Sequence, residues 1–300
     1  MTIQWNWRML VLLACVISGL VQADDEPPAD YIGGSECKAC HKSQDRSYLA
    51  GRHGKIFALN PRNVTEARGC EACHGAGSRH TQVVGELDYS GPLHIRAFGD
   101  PATAAESNRV CLSCHESGAR MHWRGSAHAT QGILCTSCHA IHSESPVPSM
   151  EVCLDCHKSQ RARLQRSAHM PLREGKITCM DCHNPHGGPG PGLLKTASVN
   201  ETCYRCHTEK RGPNIFEHPP VRENCANCHE PHGSSHPKLL RKKLPYLCQE
   251  CHSVRGHVST LYDGADLDDP AVRQLRGKAC TNCHSVIHGS NHPSGARFQR

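Results

Sequence analysis

The chain has 300 residues, with 21 cysteines and 24 histidines but only 13 Phe, Trp and Tyr together, and its mean hydropathy is −0.54. So polar a chain, interrupted by 26 Gly and 19 Pro, lacks the apolar side chains to fill an interior for its length, which excludes an ordinary side-chain core. The formal charge of +6 raises nucleic acid or an acidic membrane surface as partners, a reading that depends on what the cysteines do.

At the N-terminus Arg8 precedes an apolar run from Met9 to Val21, followed by Val21-Gln22-Ala23 and then Asp24-Asp25-Glu26. A charged start, a short apolar stretch and small residues at the −3 and −1 positions describe residues 1–23 as a secretory signal peptide cleaved after Ala23. The run is too short for a membrane anchor, which needs about 20 apolar residues. Lipoprotein processing at Cys15 would leave the apolar stretch Val16 to Val21 on the mature protein, so cleavage after Ala23 is preferred. No later segment is apolar enough to span a bilayer, so the mature chain is expected to be exported without a transmembrane helix.

Removing Cys15 leaves 20 cysteines, and every one belongs to a Cys-x-x-Cys-His motif. In chain order the motifs are Cys37, Cys40 and His41; Cys70, Cys73 and His74; Cys111, Cys114 and His115; Cys135, Cys138 and His139; and Cys153, Cys156 and His157. They continue with Cys179, Cys182 and His183; Cys203, Cys206 and His207; Cys225, Cys228 and His229; Cys248, Cys251 and His252; and Cys280, Cys283 and His284. This pentapeptide attaches c-type haem: two thiols form thioethers to the vinyl groups, and the next residue offers an imidazole to the iron. Random placement at this Cys and His content would yield on the order of 0.1 such motifs, against ten present. Zinc sites would not require His after every pair, and a disulfide framework would not repeat one local spacing. Ten covalent haems are therefore expected.

The motifs alternate in kind. Five are followed closely by a second His: His80, His142, His186, His232 and His288. After each of the other five, a His lies before the next motif: His53, His128, His169, His218 and His257. The chain thus reads as five dihaem modules, about 37–80, 111–142, 153–186, 203–232 and 248–288, a quasi-linear repeat architecture. The ten non-motif His equal the irons in number and leave His94, His122, His236 and His292 over, although His94 is an alternative to His80. With two His on every iron no position stays open for substrate, which points to electron transfer and away from catalysis. A His three residues after a motif His starts on the same side of the porphyrin, so the trailing His are expected to ligate other haems.

Spacings of 18 to 41 residues between motifs leave room for one or two brief helices each. Ser159 to His169 and Ala102 to Cys111 are plausible helices, and Gly187 to Gly192 and His218 to Pro220 are connectors. There is no β-sheet pattern. Arg161, Arg163, Arg166, Arg241, Lys242 and Lys243 read either as a docking patch for an acidic partner or, preferably, as compensation for haem propionates. The chain after residue 23 carries 33 Lys and Arg against 28 Asp and Glu, and about twenty propionates would make the loaded protein acidic. Nucleic acid is not expected, since stacking aromatics are scarce too.

The mature sequence resembles the MtrA/DmsE-type decahaem cytochromes over essentially its whole length. The resemblance rests on Tyr31-Ile-Gly-Gly-Ser-Glu-Cys37, on Gly69-Cys70-Glu-Ala-Cys-His-Gly-Ala-Gly-Ser-Arg-His80, and on Cys179-Met-Asp-Cys-His-Asn-Pro-His186-Gly. Cys225-Ala-Asn-Cys-His-Glu-Pro-His232-Gly and His288-Gly-Ser-Asn-His292-Pro-Ser-Gly extend it. It implies an elongated, mostly irregular multihaem cytochrome c with short α-helices around ten stacked haems. It also implies a porin-like outer-membrane barrel (MtrB/PioB-like) as partner, periplasmic and extracellular cytochromes as electron partners, and transfer between periplasm and exterior for metal reduction or iron(II) oxidation. The alternatives are a soluble periplasmic electron carrier or store and, third, a multihaem reductase. The last would want a five-coordinate iron and often a Cys-x-x-Cys-Lys motif, which does not occur here.

Overall fold

The computed structural model describes residues 29–84, 90–144, 148–252 and 279–299. The expected signal segment 1–23, with Cys15, and the candidate ligand His257 lie outside the described residues. The chain divides into two compact units: residues up to Lys42 with Phe57–Arg96, and Ser43–Ile56 with Ala97–Arg300.

Local structure is organised by the motifs. The backbone N–H of the motif His donates to the carbonyl of the first motif Cys at 2.9–3.0 Å for His41, His74, His139, His157, His183, His207, His229, His252 and His284. This closes one helical turn, which places two thiols and an imidazole along one edge. The two kinds of motif differ in what carries that turn. Odd-numbered motifs lie at the C-terminal end of a helix: Gly34–Cys40, Ala104–His115, Met150–Cys156, Val199–Tyr204 and Tyr246–Gln249. Even-numbered motifs form a single turn, α-helical at Glu71–His74 and Cys179–Cys182, and 3-10 at Cys135–Ser137, Cys225–Asn227 and Cys280–Asn282. Side-chain caps secure such short pieces: Ser198 Oγ accepts from Glu201 N at 3.1 Å, and Asn224 Oδ1 from Ala226 N at 2.8 Å.

Three expectations for the connecting segments need correction. The helix expected over Ser159–His169 runs Lys158–Leu164 only. Ala168 instead exchanges two backbone hydrogen bonds with Ser234, at 2.9 and 2.7 Å, so long-range pairing overrides local helix propensity. The helix expected over Ala102–Cys111 starts at Ala104, behind a 3-10 turn at Pro101–Thr103, and continues through the motif to His115. His218–Pro220 is no plain connector: Pro219 opens the helix Pro219–Glu223, with His218 at its N-cap, because proline tolerates the first helical turn. Sheet structure among the described residues is limited to four isolated bridges.

Among the described residues the buried apolar set is small: Tyr48, Ala104, Trp123, Leu134, Leu154, Leu164 and Leu194. Buried polar residues rival it, among them Glu66, Glu71, Asn108, Asn200, Ser234 and Ser290. Among the described residues no helix is long and apolar enough to cross a membrane. Where packing is tightest, backbone touches backbone. Gly187 and Gly233, each directly after a trailing His, have φ of +115° and +130°. A Cβ would stand 2.3 Å from the His122 carbonyl oxygen at Gly187 and 2.0 Å from the Arg163 carbonyl oxygen at Gly233. Only glycine satisfies both the dihedral and the approach.

Candidate haem-binding sites

Among the described residues, seven pairs of histidine rings distant in sequence face each other. In the first unit His41 faces His80, with ring centres 6.1 Å apart. In the second, His115 faces His53 at 5.7 Å, His157 faces His128 at 6.0 Å, and His139 faces His186 at 5.9 Å. His183 faces His232 at 5.9 Å, His252 faces His218 at 6.1 Å, and His229 faces His288 at 6.2 Å. Every pair joins a motif imidazole to one of the non-motif His selected from the spacing pattern, and His183 and His186 face different partners. A metal–imidazole bond is about 2.0–2.1 Å, so two imidazoles on opposite sides of one metal hold their nitrogens about 4 Å apart and their ring centres about 6 Å apart. The seven separations match that requirement. The Nε2 atoms of His53 and His115, at 3.4 Å, already point at each other.

Second partners orient these rings. Nδ1 of His74 donates to the Arg96 carbonyl at 2.8 Å, that of His183 to Gly192 at 2.8 Å, that of His229 to Lys238 at 2.8 Å and that of His284 to Arg297 at 2.5 Å. Among the non-motif His, Nδ1 of His80 donates to the Leu93 carbonyl at 2.9 Å and that of His128 to Pro185 at 2.8 Å. Such bonds fix the tautomer and leave the Nε2 lone pair for a metal. Burial pushes the pKa of His53, His115, His186, His218, His232 and His288 below the ordinary 6.5, which keeps the rings neutral and competent as ligands. Left-handed backbone at Lys238, Leu239, Leu193 and His94 occurs in the straps that present the carbonyls.

Four His are placed differently. His94 lies in the strap between Leu93 and Arg96, while His80 faces His41. The backbone N–H groups of His236 and His292 donate to Ser234 Oγ and Ser290 Oγ, each at 3.0 Å, and the His122 carbonyl abuts Gly187. The His142 ring meets Tyr48 edge-on at 6.0 Å, and His169 Nε2 lies 3.0 Å from Glu174 Oε1.

The first cysteines of the two motifs in each module lie side by side: Cys37 with Cys70, Cys111 with Cys135, Cys153 with Cys179, Cys203 with Cys225, and Cys248 with Cys280. Between these pairs Cys138 lies close to Cys153, Cys182 to Cys206, and Cys228 to Cys251. From Cys111 to Cys283 the attachment sites therefore follow one another in space as they do in sequence. Among the described residues no three His, Cys, Asp or Glu side chains converge into a metal cage. Opposed imidazole pairs beside paired thiols fit a metal whose four remaining positions come from a planar macrocycle attached through sulfur, so the residues fit haem c.

Five of the six basic residues singled out also have partners within the protein. Arg161 bonds Glu151 at 2.8 Å and Asp155 at 3.2 Å, and Arg163 bonds Glu230 at 3.1 Å. Arg166 donates to the Gly233 carbonyl at 3.2 Å, Arg241 to the Asn227 carbonyl at 3.1 Å, and Lys242 pairs with Glu250. The strap carbonyls and the glycine joints escaped the sequence reading. The recurring His-Gly dipeptide and the repeated Leu193-Leu194 and Leu239-Leu240 were the signals available for them.

The doubled CXXCH motif family matches residues 169–212 and 218–257, and the cytochrome c-type protein NrfB-like family matches residues 70–151. The chain is 43% identical to "Multiheme cytochrome MtrA" of Shewanella baltica over 282 residues, covering 89% of this chain and 81% of that protein. It is 31% identical to "Cytochrome c-type protein NrfB" of Escherichia coli over 136 residues, 42% of this chain and 65% of that one. Likeness to MtrA along nearly the whole chain, together with the attachment motifs, means that the chain belongs to the MtrA family of multihaem c-type cytochromes, electron-transfer proteins that hold haem c covalently.

Proposed function

We propose that this chain passes single electrons along ten haems in five dihaem modules, across the outer membrane between periplasm and exterior, inside a porin-like barrel. The opposed imidazole pairs support the electron-transfer part, since a motif His and a non-motif His facing each other would hold one iron between them and leave it closed to substrate. Haem c supplies reversible one-electron redox chemistry at iron. The chain's own residues would hold and tune it: the two cysteines of each motif would anchor it, the facing imidazoles would ligate its iron, and the strap carbonyls fix the orientation of the rings. His142, His169 and His257 complete the proposed ligand set alongside the seven paired non-motif His.

The barrel and the outer-membrane placement are supported by the extent of likeness to MtrA and by a polar composition that suits a barrel lumen. Residues 1–23 would direct export. Periplasmic and extracellular cytochromes are the proposed electron partners. Co-reconstitution with the candidate barrel in liposomes tests this reading: an external reductant should reduce an electron acceptor enclosed inside. Full haem loading and verified insertion with no transfer would overturn it, and recovery of the cytochrome alone in the soluble fraction would favour a diffusible carrier.

A further inference from the structure

Asn108 and Asn200 occupy equivalent places, each three residues before the first cysteine of an odd-numbered motif, Cys111 and Cys203. Both are buried, with 6% of their surface exposed. Each amide grips the chain of the following motif from both ends. Asn108 Nδ2 donates to the Ile133 carbonyl at 2.8 Å, while its Oδ1 accepts from Cys135 N at 2.8 Å. Asn200 Nδ2 donates to the carbonyls of Val221 and Arg222 at 3.0 and 2.9 Å, and its Oδ1 accepts from Cys225 N at 2.6 Å. The N–H held in each case belongs to the cysteine whose thiol meets Cys111 or Cys203.

The first unit reaches the same end with other atoms. Gly34 stands three residues before Cys37, and a Cβ there would lie 3.7 Å from Cys70 Sγ and 3.9 Å from Cys70 N. No side chain is available at that position to hold the second motif. Glu71, beside Cys70, reaches back instead, its carboxylate accepting from Ile32 N, Gly33 N and Gly77 N at 3.0, 2.8 and 2.8 Å.

We propose that Asn108 and Asn200 are positioning residues that set the separation, and hence the electronic coupling, of the two haems in their modules. Neither belongs to an attachment motif; both act through the backbone of Cys135 and Cys225. The inference rests on the haem reading given above. Its value to the protein follows from geometry: a site held by fully satisfied buried hydrogen bonds keeps its spacing, whereas one left loose drifts.

The test uses the full-length holoprotein carrying Asn108→Ala, Asn200→Ala or both. Haem number is read by intact mass, iron spin state by EPR, coupling by the bisignate Soret circular dichroism of adjacent haems, and transit by the rate of intramolecular electron transfer. The expected result is an unchanged haem complement and low-spin irons, with a weakened couplet and several-fold slower transit. A couplet and transit rate equal to wild type at full haem load would overturn the proposal. Should the alanine variants fail to take up all haems, Asn108→Gln decides, since it keeps both hydrogen-bonding ends but displaces them by one methylene. An altered couplet then supports positioning, and a wild-type couplet overturns it. A wild-type chain whose mass shows no haem at Cys111 or Cys135 would instead overturn the haem reading itself, and the proposal with it.

Discussion

Replacing His186 by alanine separates chain proximity from spatial pairing. His186 follows His183 by three residues, yet its ring faces His139 at 5.9 Å with the planes only 11° apart. His183 keeps His232 at 5.9 Å and 20°. The iron that loses a ligand is therefore expected to be the one attached through Cys135 and Cys138, not the one beside the mutation. On the proposed complement of ten haems one site is affected, so about a tenth of the ferric iron should turn high-spin. The ferrous protein should bind one carbon monoxide per chain, on the side lined by Trp123, whose ring centre is 6.2 Å from that of His186. EPR and carbon monoxide titration of the holoprotein measure both quantities. Adding Cys135→Ser and Cys138→Ser should abolish the new carbon monoxide site, while adding Cys179→Ser and Cys182→Ser should leave it. The opposite outcome, with the site lost together with Cys179 and Cys182, would refute the cross-chain assignment.

Two further predictions concern stability. Gly233→Ala forces a β-carbon into a backbone conformation of φ +130° and to within 2.0 Å of the Arg163 carbonyl oxygen. The dihedral alone costs about 1–3 kcal/mol, and the overlap adds to it, so thermal unfolding followed in the Soret band should shift to lower temperature. An unchanged midpoint would mean that the joint is not tight. In the first unit the buried Glu66 carboxyl is held below its ordinary value of 4.5 by hydrogen bonds from Arg62, including the ion pair at 2.6 Å. A depressed folded-state pKa stabilises the fold above that ordinary value, and the contribution fades as pH falls through the depressed one. Glu66→Gln should therefore lower the urea midpoint near neutral pH and flatten its decline in acid; a decline as steep as in wild type would count against the pair as the acid-sensitive element.

The attachment chemistry was legible because it is local. Cys-x-x-Cys-His needs only one turn of chain, and the backbone bond from each motif His to its first Cys, such as His183 N to Cys179 O at 2.9 Å, is dictated by that spacing. The alternation of motif kinds was equally plain in the His pattern, and it reappears as helix ends against single turns. Longer-range features were not legible. Ser126-Ala-His128 and Ser167-Ala-His169 are the same tripeptide, but Ser126 caps the helix Ala127–Thr130 whereas Ala168 pairs with Ser234. The difference comes from Ser234, 66 residues away from Ala168 by the numbering, which offers one copy a backbone partner.

Which imidazole meets which follows the same division. The sequence by itself determined the attachment motifs, the supply of non-motif His that balances them, and the separation of trailing from intervening His. Only the tertiary structure decided that His186 turns to His139 and His232 to His183, that His80 faces His41 while His94 builds a strap, and that Arg161 and Arg163 bond carboxylates of their own chain. The physical reason is that a motif's geometry is closed by hydrogen bonds within five residues, while its partner is selected by packing. Glycine joints and buried amides, absent from any local pattern, set where a segment tens of residues away comes to rest.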